Sequence, residues 1–215
     1  MEDEDISAMR FHHSRTANRT LIAVGLKSSS ESIPLVRIYY INKKISYNFV
    51  HSHLNTNVDI IDMVFILKGK FFVSLAEVEQ GLLYQLTIWN IELESMVYTV
   101  QVKGNFTEME NTLASSKLFS LVGPDGFKLF GYDITEKNLM NTSENENYIN
   151  EKLELDNEDN KITCHCWLKQ ENTLIICTLY KLFIFKNFEL KQTIDFNFPE
   201  VELKALLSEQ IFEDN

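Results

Sequence analysis

The sequence predicts an all-β fold assembled from several similar small sheets, and three observations predict it. Short runs of β-branched and aromatic residues recur through the 215 residues, each closed by a polar turn. Only three prolines (Pro34, Pro124, Pro199) and seven glycines punctuate the chain, so the breaks between runs are tight turns rather than long linkers. One strand type also returns at a regular interval: "RIYYI", "LTIWN", "LFGYD" and "LFIFK" each gather aliphatic and aromatic residues before a polar turn. With Tyr40, Trp89, Tyr132 and Phe185 as equivalents, the intervals are 49, 43 and 53 residues. A sandwich of two sheets also shows short strands, but the repeated order of strands within each unit favours a β-propeller.

The elements follow in order. "TLIAVGL" (20–26), "LVRIYYI" (35–41) and "SYNFV" (46–50) make the first set, and "KFFVSLA" (70–76), "YQLTIWN" (84–90) and "MVYTVQV" (96–102) the second. "KLFSLVG" (117–123) and "FKLFGYD" (127–133) form the third, joined by the turn tetrapeptide "GPDG". "TLIICTL" (173–179), "KLFIFKN" (181–187) and "LKQTIDF" (190–196) form the fourth. Each blade also needs an innermost strand, and "DISAMRF", "DIIDMVF", "MENTLAS" and "ITCHCWL" stand in the right places. Repeats of about 40 to 45 residues closing on a Trp-Asp-like pair are the signature of WD-repeat blades, and Trp89-Asn90 comes nearest to that pair.

The predicted organisation is a single partial propeller domain over 1–215: about four blades, with "VELKALLS" (201–208) as the possible start of a fifth, and hence an incomplete ring. One polar, acidic insertion interrupts it at about 141–160, "NTSENENYINEKLELDNEDN". Its composition reads as an exposed loop, with Tyr148-Ile149 and 153–155 available for an outer strand. It lacks the ligand spacing and central glycine of a calcium loop.

Composition bounds the function. A formal charge of −11 disfavours phosphate backbones and anionic lipid, so neither nucleic acid nor membrane is an expected partner. The chain opens on an acidic stretch rather than a basic, apolar leader, and "VDIIDMVFIL" (58–67) is too short and too charged to span a bilayer. Three cysteines do not make a secreted disulfide framework. These features read as intracellular, and the Asn-x-Ser/Thr matches at Asn18, Asn105 and Asn141 as chance.

Cys164-His165-Cys166, with Trp167 after it and Cys177 on the next strand, is the one cluster with a chemical reading. On a strand, Ile162, Cys164, Cys166 and Leu168 face one way and Thr163, His165 and Trp167 the other, so the sulfurs and the imidazole diverge. Tetrahedral zinc needs four converging ligands, and Cys-x-x-Cys redox chemistry needs a motif this chain lacks. His12-His13, His51 and His53 come without carboxylate or cysteine partners, and no Gly-rich phosphate loop or Gly-x-Ser-x-Gly elbow occurs. The sequence therefore assigns no catalytic, cofactor-binding or metal-binding residue and predicts no enzyme. The rival class, a metal-binding or cysteine-dependent enzyme, rests on Cys164, His165, Cys166 and Cys177 alone.

The segment 162–194 resembles a blade of the cilia- and flagella-associated WD-repeat proteins: Thr163, Cys164, His165 and Trp167 match their first strand, and Leu182, Phe185, Glu189 and Leu190 the later part. The shortened turn at 177–180 departs from that pattern. "MVFILKGKFFVSLAEVEQGLLYQLTIWNIE" is similar to a second such blade, which extends the resemblance over about 6–196. It implies a non-catalytic scaffold that docks or regulates inner dynein arms on doublet microtubules. Its implied partners are axonemal proteins, inner-arm components or tubulin, its place is the cytoskeleton of the cilium or flagellum, and no cofactor is implied. A WD-repeat adaptor in another intracellular assembly is the alternative. Against that family, four blades without a second propeller or coiled coil read as a fragment, a short paralogue or one part of a split ring.

Overall fold

The computed structural model describes residues 5–14, 19–27, 33–55, 58–112, 115–155, 160–168 and 172–195. They form four sheets of four antiparallel strands, each ordered simply along the chain. The first holds β1 (Ile6–Ser14), β2 (Arg19–Leu26), β3 (Leu35–Tyr40) and β4 (Ile45–Val50), and the second β5 (Ile60–Ile66), β6 (Phe71–Glu79), β7 (Leu83–Asn90) and β8 (Ser95–Lys103). The third comprises β9 (Glu108–Asn111), β10 (Leu118–Gly123), β11 (Gly126–Asp133) and β12 (Asn138–Asn141). The fourth comprises β13 (Cys164–Leu168), β14 (Thr173–Cys177), β15 (Lys181–Lys186) and β16 (Glu189–Asp195). The first strands of successive sheets, β1, β5, β9 and β13, are neighbours, so the sheets radiate from a common centre as an open arc. This is an incomplete all-β propeller, as the repeats predict. The 201–208 segment, read as the start of a fifth blade, lies outside the described residues.

What holds the sheets together is apolar packing face to face. Leu21, Ile38 and Phe49 of the first sheet meet Ile60, Phe72 and Trp89 of the second. From the other side of the second sheet, Val73, Leu86 and Ile88 meet Phe119, Leu121 and Tyr132 of the third. Phe127 and Leu129 then pack with Trp167, Ile176 and Phe185 of the fourth. A strand buried on both faces must be apolar throughout, whereas one buried on a single face alternates. β6 shows the first pattern and is buried at six consecutive residues; β3 shows the second, with Val36, Ile38 and Tyr40 buried and Leu35, Arg37 and Tyr39 turned outward. The outward face of the first sheet carries Met9 and Phe11, each 64% exposed.

The turns explain the recurring aromatic-then-polar grammar. Asn90 Oδ1 accepts the backbone N–H groups of Glu92 and Leu93, and Asp133 Oδ1 those of Thr135 and Glu136. Each side chain closes the hairpin into the outer strand as an Asx turn, so Tyr132-Asp133 is a second Trp-Asp-like pair beside Trp89-Asn90. Gly69 is needed where it stands: its φ is +74°, and a Cβ there would come within 2.6 Å of the His12 ring.

The insertion differs from the sequence-based reading. Its core is a helix, α1 (Ser143–Leu153), and the outer strand of the third sheet is β12, which precedes it, rather than a piece of 148–155. The composition is that of a loop, but Glu146, Ile149 and Leu153 lie on one side at helical spacing and are buried. Ile149 and Leu153 pack on Phe127 and Leu129, which holds the helix on the third sheet. Glu144 and Glu146 in its first turn favour the helix dipole.

Candidate functional site

Chemistry-bearing side chains gather at the centre, where each innermost strand donates a charged or polar residue. Arg10 on β1 forms a two-pronged pair with Asp62 on β5, Nε to Oδ1 at 2.8 Å and Nη2 to Oδ2 at 2.7 Å. The same guanidinium reaches β9, donating to the Met109 carbonyl at 2.8 Å and to Glu110 at 3.1 Å. Asp62 in turn accepts the backbone N–H of Met109 at 2.7 Å. One arginine thus ties three sheets together in the fork geometry that suits carboxylates. Burial alone would weaken the charge on Arg10, but Asp62, then Glu110 and Glu108, outweigh it and hold the guanidinium more firmly protonated than usual. Burial pushes the Glu110 carboxyl up, with Arg10 opposing. A shallow hollow of about 350 Å³ lies against the network, lined in part by Met9, Arg10, Asp62, Glu108 and Thr163.

The fourth sheet joins through His165. Its backbone N–H and Nδ1 both lie on Glu108 Oε2, at 3.1 and 3.2 Å, and its Nε2 is 2.6 Å from Ser120 Oγ on β10. Trp167 donates from Nε1 to that same hydroxyl at 2.9 Å. With the ring proton on Nδ1, each partner is matched: Glu108 accepts, and Nε2 accepts the Ser120 hydroxyl. His165 and Trp167 therefore clamp the fourth sheet to the third across the gap between them.

A similar network sits between the first and second sheets. His51, on the loop before β5, places Nε2 at 2.8 Å from Ser74 Oγ and accepts from Trp89 Nε1 at 3.3 Å, while Nδ1 donates to the Phe49 carbonyl at 3.2 Å. Burial, followed by the charge of nearby His53, depresses the His51 pKa to about 3. Protonating Nε2 would also aim its new N–H at the indole N–H. His53 bonds Thr87 Oγ1 at 3.1 Å, and burial lowers its pKa as well. His13 bonds Thr20, whereas His12 packs at a tilt against Phe65 with ring centroids 5.4 Å apart.

The cysteines turn away from this centre. Cys164 stands opposite Cys177 and Cys166 opposite Ile175, and these four side chains form one apolar cluster on the face of β13 and β14 that His165 does not share. Burial, then the neighbouring Cys164, pushes the Cys166 thiol up to about 12, and a hydrogen bond with Cys164, then burial, pushes Cys177 up also. Thiols so placed stay protonated and unreactive at neutral pH. Among the described residues no group of three or more side chains is arranged to hold a metal, and no helix is long and apolar enough to cross a membrane.

Sequence reading weighed His165 and the cysteines but missed Arg10, Asp62, Glu108, Glu110 and the two serines, Ser74 and Ser120. A signal was present: a charge inside an apolar innermost strand, as in "DISAMRF" and "DIIDMVF", is costly unless the centre pairs it.

No protein-family model matches the chain, and no curated protein sequence matches it. Solved structures do resemble it in fold. One described as the Dos1 propeller superposes with a TM-score of 0.55 at 10% identity, over 88% of this chain and 46% of that one. The hydrazine synthase of Kuenenia stuttgartiensis gives a TM-score of 0.55 at 9% identity, over 77% of this chain and 49% of the other. The chain spans about half the length of each. At such identity the likeness concerns the fold, and it places the four sheets among propellers.

Proposed function

We propose that this chain is a non-catalytic protein-interaction scaffold of the WD-repeat kind. The observation that carries the reading is where its reactive side chains are spent. Arg10, Asp62, Glu110, Glu108 and His165 bond one another across four innermost strands, and the Cys166 and Cys177 thiols are held in their protonated form. Groups engaged in joining sheets make a rigid frame, and a rigid frame with freely varying turns is suited to presenting contact surfaces. The WD-repeat assignment is supported by the second blade, where His51 before the first strand and Trp89-Asn90 at the end of the third occupy the places of that repeat's His and Trp-Asp.

The finer reading draws on the sequence resemblance: a cytoskeletal protein of the ciliary or flagellar axoneme that docks or regulates inner dynein arms, with inner-arm components or tubulin as partners. An adaptor in another intracellular assembly is the second reading, favoured by the same frame without the ciliary likeness. Imaging tagged protein in ciliated cells decides between them. Signal along axonemes is the expected result, and its exclusion from cilia removes the dynein-arm role while leaving the scaffold.

A further inference from the structure

The two ends of the blades differ in charge. Antiparallel order puts the turns from first to second strand and from third to fourth strand at one end of every sheet. Contacts between sheets confirm the alignment at that end: Leu67 N–H donates to the Ser116 carbonyl, and Arg19 reaches both the Gly69 carbonyl and Glu92. Exposed in these turns are Lys43, Lys44, Lys68, Lys70, Lys117 and Lys137, against Glu92, Glu94 and Glu136. Exposed in the described connections of the opposite end are Asp125, Glu144, Glu151 and Glu154 against Lys27 and Lys161. Among the described residues, a chain of net charge −11 thus has one end with an excess of positive charge.

Two further features of that end bear on docking, though Ile33, Leu82 and Tyr180 are exposed at the other end. Each third-to-fourth turn of the first three sheets lifts a large aliphatic side chain into solvent: Ile41 at 49%, Leu93 at 72% and Ile134 at 46% exposed. The fourth does not, because Phe188 folds back on Trp167 with ring centroids 5.8 Å apart. Lys44, Lys68 and Lys137 also hold the left-handed backbone conformation, with φ of 53°, 58° and 51°, where glycine or asparagine is the unstrained choice. Strain kept at exposed, charged positions points to use rather than to folding.

We propose that this end is the docking surface, and that it takes an acidic protein segment bearing large apolar side chains. The inference rests on the scaffold reading and adds the face and the partner's chemistry. Lysines meet the segment's carboxylates, and Ile41, Leu93 and Ile134 give its apolar residues a place to leave water. A protein segment fits better than a membrane or a nucleic acid. Glu92, Glu94 and Glu136 stand among the lysines, and the whole molecule repels an unbroken polyanion, whereas a short segment can set its charges to avoid them.

The test uses the full chain and a fluorescent synthetic peptide of glutamate, leucine and phenylalanine, read by anisotropy. The combined variant Lys44→Glu, Lys68→Glu and Lys137→Glu is expected to weaken binding at least about tenfold. Ile41→Ser, Leu93→Ser and Ile134→Ser together weaken it about as much. A variant of equal charge change at the other end, Lys27→Glu, Lys152→Glu and Lys161→Glu, leaves it unchanged. All these side chains are exposed except the half-buried Lys152, and unaltered thermal unfolding serves as the folding control. Equal losses from both charge variants overturn the proposal, as does a wild-type protein that ignores the peptide yet binds phosphatidylserine vesicles or duplex DNA. Lysine cross-linking to partner proteins, mapped by mass spectrometry, separates the two readings. Cross-links at Lys43, Lys44, Lys68 or Lys137 support the surface; cross-links confined to Lys27, Lys152 and Lys161 remove it and keep the scaffold; none at either end removes both.

Discussion

At the scale of single residues, the histidines link stability to pH. His51 is neutral when folded, with a pKa near 3 against an ordinary value of 6.5. The unfolded chain therefore binds a proton that the folded chain refuses, so this contribution is complete above pH 6.5 and is lost as pH falls toward 3. Between about pH 7.5 and pH 5 the loss comes to about 2 kcal/mol. Urea unfolding at the two pH values measures it, and His51→Gln is expected to flatten the dependence, since glutamine does not titrate. The sequence marks His51 and His53 only as histidines without carboxylate or cysteine partners. It could not reveal that Ser74 and Trp89, far along the chain, converge on the same ring, because that meeting is set by one sheet packing on the next. His165 is similar: alternation along the strand correctly separated it from the cysteines, while Ser120 and Glu108 on the adjacent sheet were invisible.

At the scale of elements, the second to fourth strands of the first, second and fourth sheets were legible as runs of β-branched and aromatic residues, and the repeat placed the innermost strands. Helix α1 was not legible, because polar composition hid a periodicity carried by only three residues. That small buried stripe is nonetheless what anchors the helix. Leu153→Ala removes a fully buried side chain from the junction of α1 with β11 and is expected to cost about 2 to 5 kcal/mol, read as a lowered urea midpoint. Asn147→Ala on the exposed side changes stability by no more than about 0.5 kcal/mol. A comparable loss at both positions would mean that the helix is held by its own turns rather than by the sheet beneath.

At the scale of the whole molecule, the arc of sheets was predicted by repetition alone, because each blade solves the same burial problem with similar residues. The charge difference between its ends was not, since it depends on which turns share an end, and that follows only once strand order is known. The continuous apolar run of β6 and the alternation of β3 separate sheets covered on two sides from a sheet covered on one. That difference orders the molecule in time as well as in space. Amide protons of β6 and β7 should trade with deuterated water only when the entire arc comes apart, whereas those of β4, at the margin of a half-covered sheet, escape through brief local openings. Exchange rates resolved strand by strand would then rank the sheets by how many neighbours each must shed before its backbone meets solvent.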